Sequence, residues 1–240
     1  AWSRPVPRLV LSSPALAAEL SGWQKLQLAL GHALLPSLAE LPPERRPAAL
    51  VRATALISLL IFPMAVGLAV VADSLVASLL SPEWQDVAPL LTILAVLSVF
   101  RPITWTLSSY LEATEQTSTF MWLEIGKLVP LFGGIVVLHR WGIDAAAFSV
   151  GIAFGLHAAI GIYVVGKTGP SPAGMVWAVT RPLAACGVMA AAVLGARFGL
   201  SGAGLDDPRL LLAVEIVVGA LSYIVAAFVV ARPIAQDFIG

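Results

Sequence analysis

Charge is scarce in this chain. Of its 240 residues only 12% are Asp, Glu, Lys or Arg, against about 25% in a water-soluble domain. The acidic and basic residues cancel to a net charge of zero. The first fact excludes the water-soluble classes, and the second gives no footing for nucleic acid. Cysteine is nearly absent. Cys186 stands alone in an apolar run, which excludes an internal disulfide and a cysteine-based metal site. Three scattered histidines make no zinc site. The signatures H-E-x-x-H, G-x-S-x-G and G-x-x-x-x-G-K are missing, and Asp73 and Asp144 sit alone at loop edges. No catalytic constellation and no cofactor is therefore expected. The opening Ala1-Trp2-Ser3 shows neither an initiator methionine nor a signal-peptide pattern, so the chain reads as a fragment of a longer protein.

Long hydrophobic runs are what remains. The chain is 59% hydrophobic, with a mean hydropathy of +0.91. A bilayer core takes about 20 apolar residues per helix. That rule predicts six good spans, at residues 48–72, 87–111, 118–138, 145–165, 176–196 and 210–230. A weaker one at 14–39 carries Glu19, Lys25 and His32. The connections are short and turn-like, as in Pro42-Pro43-Glu44-Arg45-Arg46 and Gly169-Pro170-Ser171-Pro172. The expected fold is an all-α integral membrane bundle of about seven helices. Lys and Arg in short loops set orientation. One side holds Arg45, Arg46, Arg52, Lys167, Arg181 and Arg232; the other holds Arg4, Arg8, Arg140, Arg197 and Arg209. The dense Arg45-Arg46-Arg52 cluster places its side, and with it the C-terminus, in the cytoplasm. Two ridges of small residues, Gly151/Gly155 and Gly187/Ala191/Gly195, predict close helix approach.

Between Asp86 and Glu112 the only charge is Arg101, and Pro102 follows it. A lone arginine at mid-membrane is expensive. A proline beside it bends the helix and frees a carbonyl. Helical spacing puts Ser98, Arg101, Thr104, Trp105, Ser108 and Glu112 on one face. That stripe faces a cavity or a neighbouring helix, and Arg101 either lines the cavity or pairs with Glu124. Glu124 and Lys127, one turn apart, either neutralise each other or join the cavity. Glu215 is expected to be structural, with Arg209 or another helix as its partner. His157 is expected to be a satisfied interior histidine rather than a ligand or a proton carrier.

Several segments together carry a likeness to a known family. They are Leu34-Leu35-Pro36-Ser37-Leu38, Pro63, the Leu79–Gln85 loop with Trp84, Leu90–Ala95, Leu107–Thr114, and Arg140-Trp141-Gly142-Ile143 before Ala145-Ala146-Ala147. In order and spacing they resemble the C-terminal half of bacterial polysaccharide (oligosaccharide) flippases. These are the Wzx-type members of the multidrug/oligosaccharidyl-lipid/polysaccharide superfamily. Glu115 stands where the family usually has glycine, and Asp144 where glycine or glutamate is usual. The likeness covers residues 28–165. Residues 1–27 match poorly, and 166–240 hold two terminal spans.

The resemblance implies one lobe of a two-lobe, 14-helix transporter in the bacterial inner membrane. Its substrate would be an undecaprenyl-pyrophosphate-linked oligosaccharide for surface polysaccharide, moved by alternating access. Its partners would be that substrate, membrane lipids and a missing N-terminal lobe. The cavity candidates are then Arg101, Lys127, Ser98, Thr104, Trp105, Ser108 and Glu124, with Pro63, Pro102 and Pro130 as hinges. Three rivals stand beside this reading. A MATE-like drug exporter would favour carboxylates in the cavity. A membrane-embedded glycan polymerase or acyltransferase would need a long loop or a paired acid and base. A structural subunit would bury the stripe against a partner helix.

Overall fold

The computed structural model describes residues 40–167, 169–202, 204–205 and 207–239. The weak span at 14–39 and the segment 1–27 lie outside the described residues. Within them every regular element is helical: α1 (Arg46–Leu79), α2 (Val87–Leu97), α3 (Phe100–Ala113), α4 (Thr117–Leu138), α5 (Ile143–Gly166), α6 (Pro172–Gly202) and α7 (Pro208–Ile239). Six stretches are long and apolar enough to cross a membrane, and they coincide with the six good spans predicted. The protein is an all-α membrane bundle. The third span is divided, α2 and α3 being separated at Ser98-Val99.

α1 sits at the centre and packs on α2, α3, α6 and α7. Its buried residues Leu50, Ala55, Phe62, Ala65, Ala72 and Val76 meet neighbours over much of its circumference, as befits a helix apolar on nearly all sides. Burial in lipid gives no hydrophobic gain between helices, so close packing and hydrogen bonds hold the bundle. One such bond joins the buried Thr54 and Thr106 hydroxyls of α1 and α3, 2.9 Å apart.

Glycines set the α5 contact. A Cβ on Gly151 would stand 2.2 Å from Leu97 Cδ2, and one on Gly161 would stand 2.9 Å from Leu107 Cδ1. The Gly151/Gly155 ridge is therefore a packing ridge, as predicted. The second ridge is not. Gly187 and Gly195 have open space where a Cβ would go, and Gly187, Ala191 and Gly195 are exposed. α6 turns the opposite face inward, with Met175, Ala178, Ala185, Cys186, Met189 and Val193 buried. Bulkier, softer side chains fill that contact, and the small residues are left outside. α4 lies at the edge against α5 and has no buried residue.

Two turns show why their residues matter. α3 ends in a Schellman motif, with Gln116 N–H bonding Leu111 O at 2.8 Å and Glu115 N–H bonding Glu112 O at 3.1 Å. This motif puts Glu115 in the left-handed region at φ 59, which explains the glycine usual there in the resembling family. Gly142 precedes α5 at φ 106, ψ 175, backbone that only glycine adopts freely. Arg46 ties the start of α1 to this end of α3. Its Nη1 donates to Ala113 O at 3.0 Å, one of the carbonyls that a helix end leaves without an internal partner.

Candidate functional site

The break in the third span follows from Pro102. Proline has no N–H to give the Ser98 carbonyl four residues back, and its ring collides with that carbonyl. The chain answers with a tighter turn: Ser98 O accepts the Arg101 N–H at 3.1 Å instead. The Ser98 hydroxyl donates to Leu94 O at 2.9 Å. α3 restarts at Phe100, and Arg101 emerges in its first turn.

α3 is sealed on most sides. Pro102, Ile103, Thr104, Thr106, Leu107, Ser109, Tyr110, Leu111 and Ala113 are all buried. The open side consists of exposed Arg101 and Glu112 with half-buried Trp105 and Ser108, and Ser98 stands half-buried just above. The open strip of this central helix is thus its polar strip. Thr104 lies just off it, buried, and donates to Arg101 O at 3.0 Å. Ser108 donates to Thr104 O at 2.8 Å. With its proton turned back to the helix, the half-buried Ser108 hydroxyl offers lone pairs outward. Among the described residues no carboxylate pairs with the Arg101 guanidinium.

Glu124 does not meet Arg101. Its Oε2 holds Lys127 Nζ at 2.5 Å, the i, i+3 pair that the spacing allowed. Its Oε1 lies 3.6 Å from His157 Nε2 on α5. Lys127 also sits 5.1 Å from the centre of the Phe154 ring. The structure therefore gathers Glu124, Lys127 and His157 into one cluster between α4 and α5. Arg101, Trp105 and Ser108 belong to a separate strip on α3. His157 is buried, with Nδ1 on the Leu123 carbonyl and Nε2 turned toward Glu124. Of the prolines, Pro63 and Pro130 lie inside continuous helices, and Pro102 alone of the three accompanies a break.

Glu215 is a structural residue whose partner is Arg197, not Arg209. Arg197, which hydropathy places in a loop, lies inside α6 and donates from Nε to Glu215 Oε1 at 2.6 Å. Its other nitrogens reach α1, at Val70 O (2.8 Å), Ser74 Oγ (3.3 Å) and Asp73 Oδ2 (3.2 Å). The sequence did hold a signal. Arg197 lies five residues before the end of α6 and Glu215 seven after the start of α7, so the hairpin brings them to one depth.

Residues 15–89 match the family model of the polysaccharide biosynthesis proteins. No curated protein and no solved structure matches the chain. The matched stretch is just under a third of the sequence. It takes in all of α1, the loop with Trp84 and the first residues of α2. The chain is a multi-pass membrane protein that resembles polysaccharide biosynthesis proteins over that stretch. The Arg101 strip begins a few residues beyond.

Proposed function

We propose that the chain is a lobe of a flippase in the bacterial inner membrane. It moves a lipid-linked oligosaccharide across the bilayer for surface polysaccharide assembly, and Arg101 receives the pyrophosphate of that lipid. The observation that carries this reading is the Arg101 strip: an exposed, unpaired arginine at mid-span, on the one open face of a central helix. A permanently charged planar fork suits a diphosphate. In a cavity of effective dielectric about 20, one such charge pair at about 4 Å contributes about 4 kcal/mol. Ser98, Ser108 and Trp105 give the glycan polar and stacking surface. The break at Ser98-Val99 gives the span a place to bend as the lobes exchange access.

Orientation also supports this reading. Arg197 is consumed by helix pairing and no longer counts as a loop charge. With Arg52 and Arg181, which also lie inside helices, set aside as well, Arg140 and Arg209 remain on one side among the described residues, against Arg45, Arg46 and Lys167 on the other. The richer side, with the C-terminus, belongs in the cytoplasm.

The test is export by Arg101→Ala and Arg101→Lys, placed in a gene encoding both lobes and expressed in cells deleted for the native flippase, with abundance checked by immunoblot. Alanine is expected to lower export at least tenfold and lysine to restore part of it. Full export by the alanine variant at normal abundance overturns the assignment.

A further inference from the structure

The Glu124–Lys127–His157 cluster has a chemical asymmetry. His157 Nδ1 lies 3.2 Å from Leu123 O. A carbonyl only accepts, so Nδ1 carries the hydrogen. In the neutral ring Nε2 is then a bare lone pair, and it faces the Glu124 carboxylate at 3.6 Å. Lys127 neutralises Glu124 from its other oxygen. The cluster thus lacks one hydrogen between Nε2 and Oε1, and with it becomes an imidazolium beside a carboxylate.

Among the described residues no further charge faces it. Glu124 and Lys127 are the ionisable groups that face the ring from α4. α2 and α3 pack on α5 through Leu97, Phe100 and Leu107. Arg101 and Glu112 stand on the open strip of α3, and the Tyr110 hydroxyl lies against Gly169. On α6, Cys186 packs with Phe62 and Val99. His139, Arg140 and Asp144 are at the far end of α5, about 20 Å along the helix. The cluster is also reachable. A groove of about 380 Å³ between α4 and α5 is lined by Trp122, Gly126, Lys127, Pro130, Leu156 and His157. Pro130 has no N–H for the Gly126 carbonyl, which adds an acceptor to this otherwise apolar groove. Lys127 is ten residues from the start of α4, about 15 Å into the span.

We infer that Glu124, Lys127 and His157 form a one-proton site at mid-membrane through which a proton gradient drives transport. Nε2 takes a proton from water in the groove, and the cluster passes from net zero to one positive charge. On release the proton returns to water and the lone pair is restored. The binding half stands on the geometry alone. The coupling half rests on the transport reading proposed above.

The full chain, labelled with ¹⁵N in the histidine rings, is placed in lipid nanodiscs and titrated from pH 5 to 9. His157→Gln assigns the signals. The Nε2 resonance is expected to titrate while Nδ1 stays protonated throughout, and Glu124→Gln is expected to move the midpoint by about one pH unit. A ring that does not titrate in this range, or a midpoint unmoved by Glu124→Gln, overturns the site whatever the protein transports. In the export assay, His157→Gln at normal abundance is expected to lose at least tenfold, and an uncoupler is expected to stop the wild type. Export that survives either treatment overturns the coupling. A wild type that fails to complement at all overturns the transport reading and leaves the titration standing.

Discussion

The Arg197 Nε lies 2.6 Å from a Glu215 oxygen that water does not reach, and with it ties the last helix of the bundle to α6 and α1. The pair is unequal: the Arg197 side chain is 22% exposed and that of Glu215 fully buried. The other oxygen, Oε2, has no hydrogen-bond partner, so Arg197 alone among the described side chains compensates a buried carboxylate. Replacing Arg197 by leucine is expected to cost about 3–5 kcal/mol, because it strands Glu215. Asp73→Ala is expected to cost under about 1 kcal/mol, since Asp73 is 70% exposed. Thermal unfolding in lipid nanodiscs measures both. Equal losses would show that the network acts through Asp73.

Glu115→Gly tests the turn after α3. A non-glycine residue in the left-handed region costs about 1 kcal/mol or more. Glycine there is expected to raise stability by about 1 kcal/mol, seen as a higher midpoint of thermal unfolding. A lower midpoint would mean that the glutamate side chain holds the turn.

Two adjacent glycines on α4 make a matched pair. A Cβ on Gly134 would lie 2.6 Å from Ser149 Cβ, an atom fixed to the backbone of α5. A Cβ on Gly133 would meet nothing within 4 Å. Gly134→Ala is expected to destabilise by about 1–3 kcal/mol, and Gly133→Ala to stabilise by about 0.5–1 kcal/mol. The reverse order in the same unfolding experiment would contradict the α4–α5 packing described.

Pro102→Ala returns an N–H to the Ser98 carbonyl. The expected result is one continuous helix from Val87 to Ala113, with slower hydrogen exchange at residues 98–102. Export is expected to fall at the same time, because the bend is lost. Unchanged exchange would show that the break has another cause.

Much of this was legible from sequence. The six described spans follow from hydropathy alone. The Glu124–Lys127 pair follows from i, i+3 spacing, and the break from the position of Pro102. Other features depend on which helix lies beside which, and local spacing does not encode that. His157 joins Glu124 only because α4 and α5 pack closely at Gly134. Gly187 and Gly195 look like a contact ridge, yet larger residues on the far face of α6 took the contact. By sequence Arg46 is an orientation charge, and its bond to Ala113 O requires knowing that α1 begins where α3 ends. Helical spacing places Arg101, Trp105, Ser108 and Glu112 on one face, but it does not encode that Thr104, assigned to the same face, is buried against a neighbour.

α4 has no residue sealed inside the bundle. Trp122, Val129, Phe132 and Val136 all point outward and are well exposed. Among the described residues α5 is the main support of this helix. The Glu124–His157 distance therefore rests chiefly on one helix contact, the one that brings Gly134 against Ser149, and any slide of α4 along α5 moves the carboxylate and the ring apart.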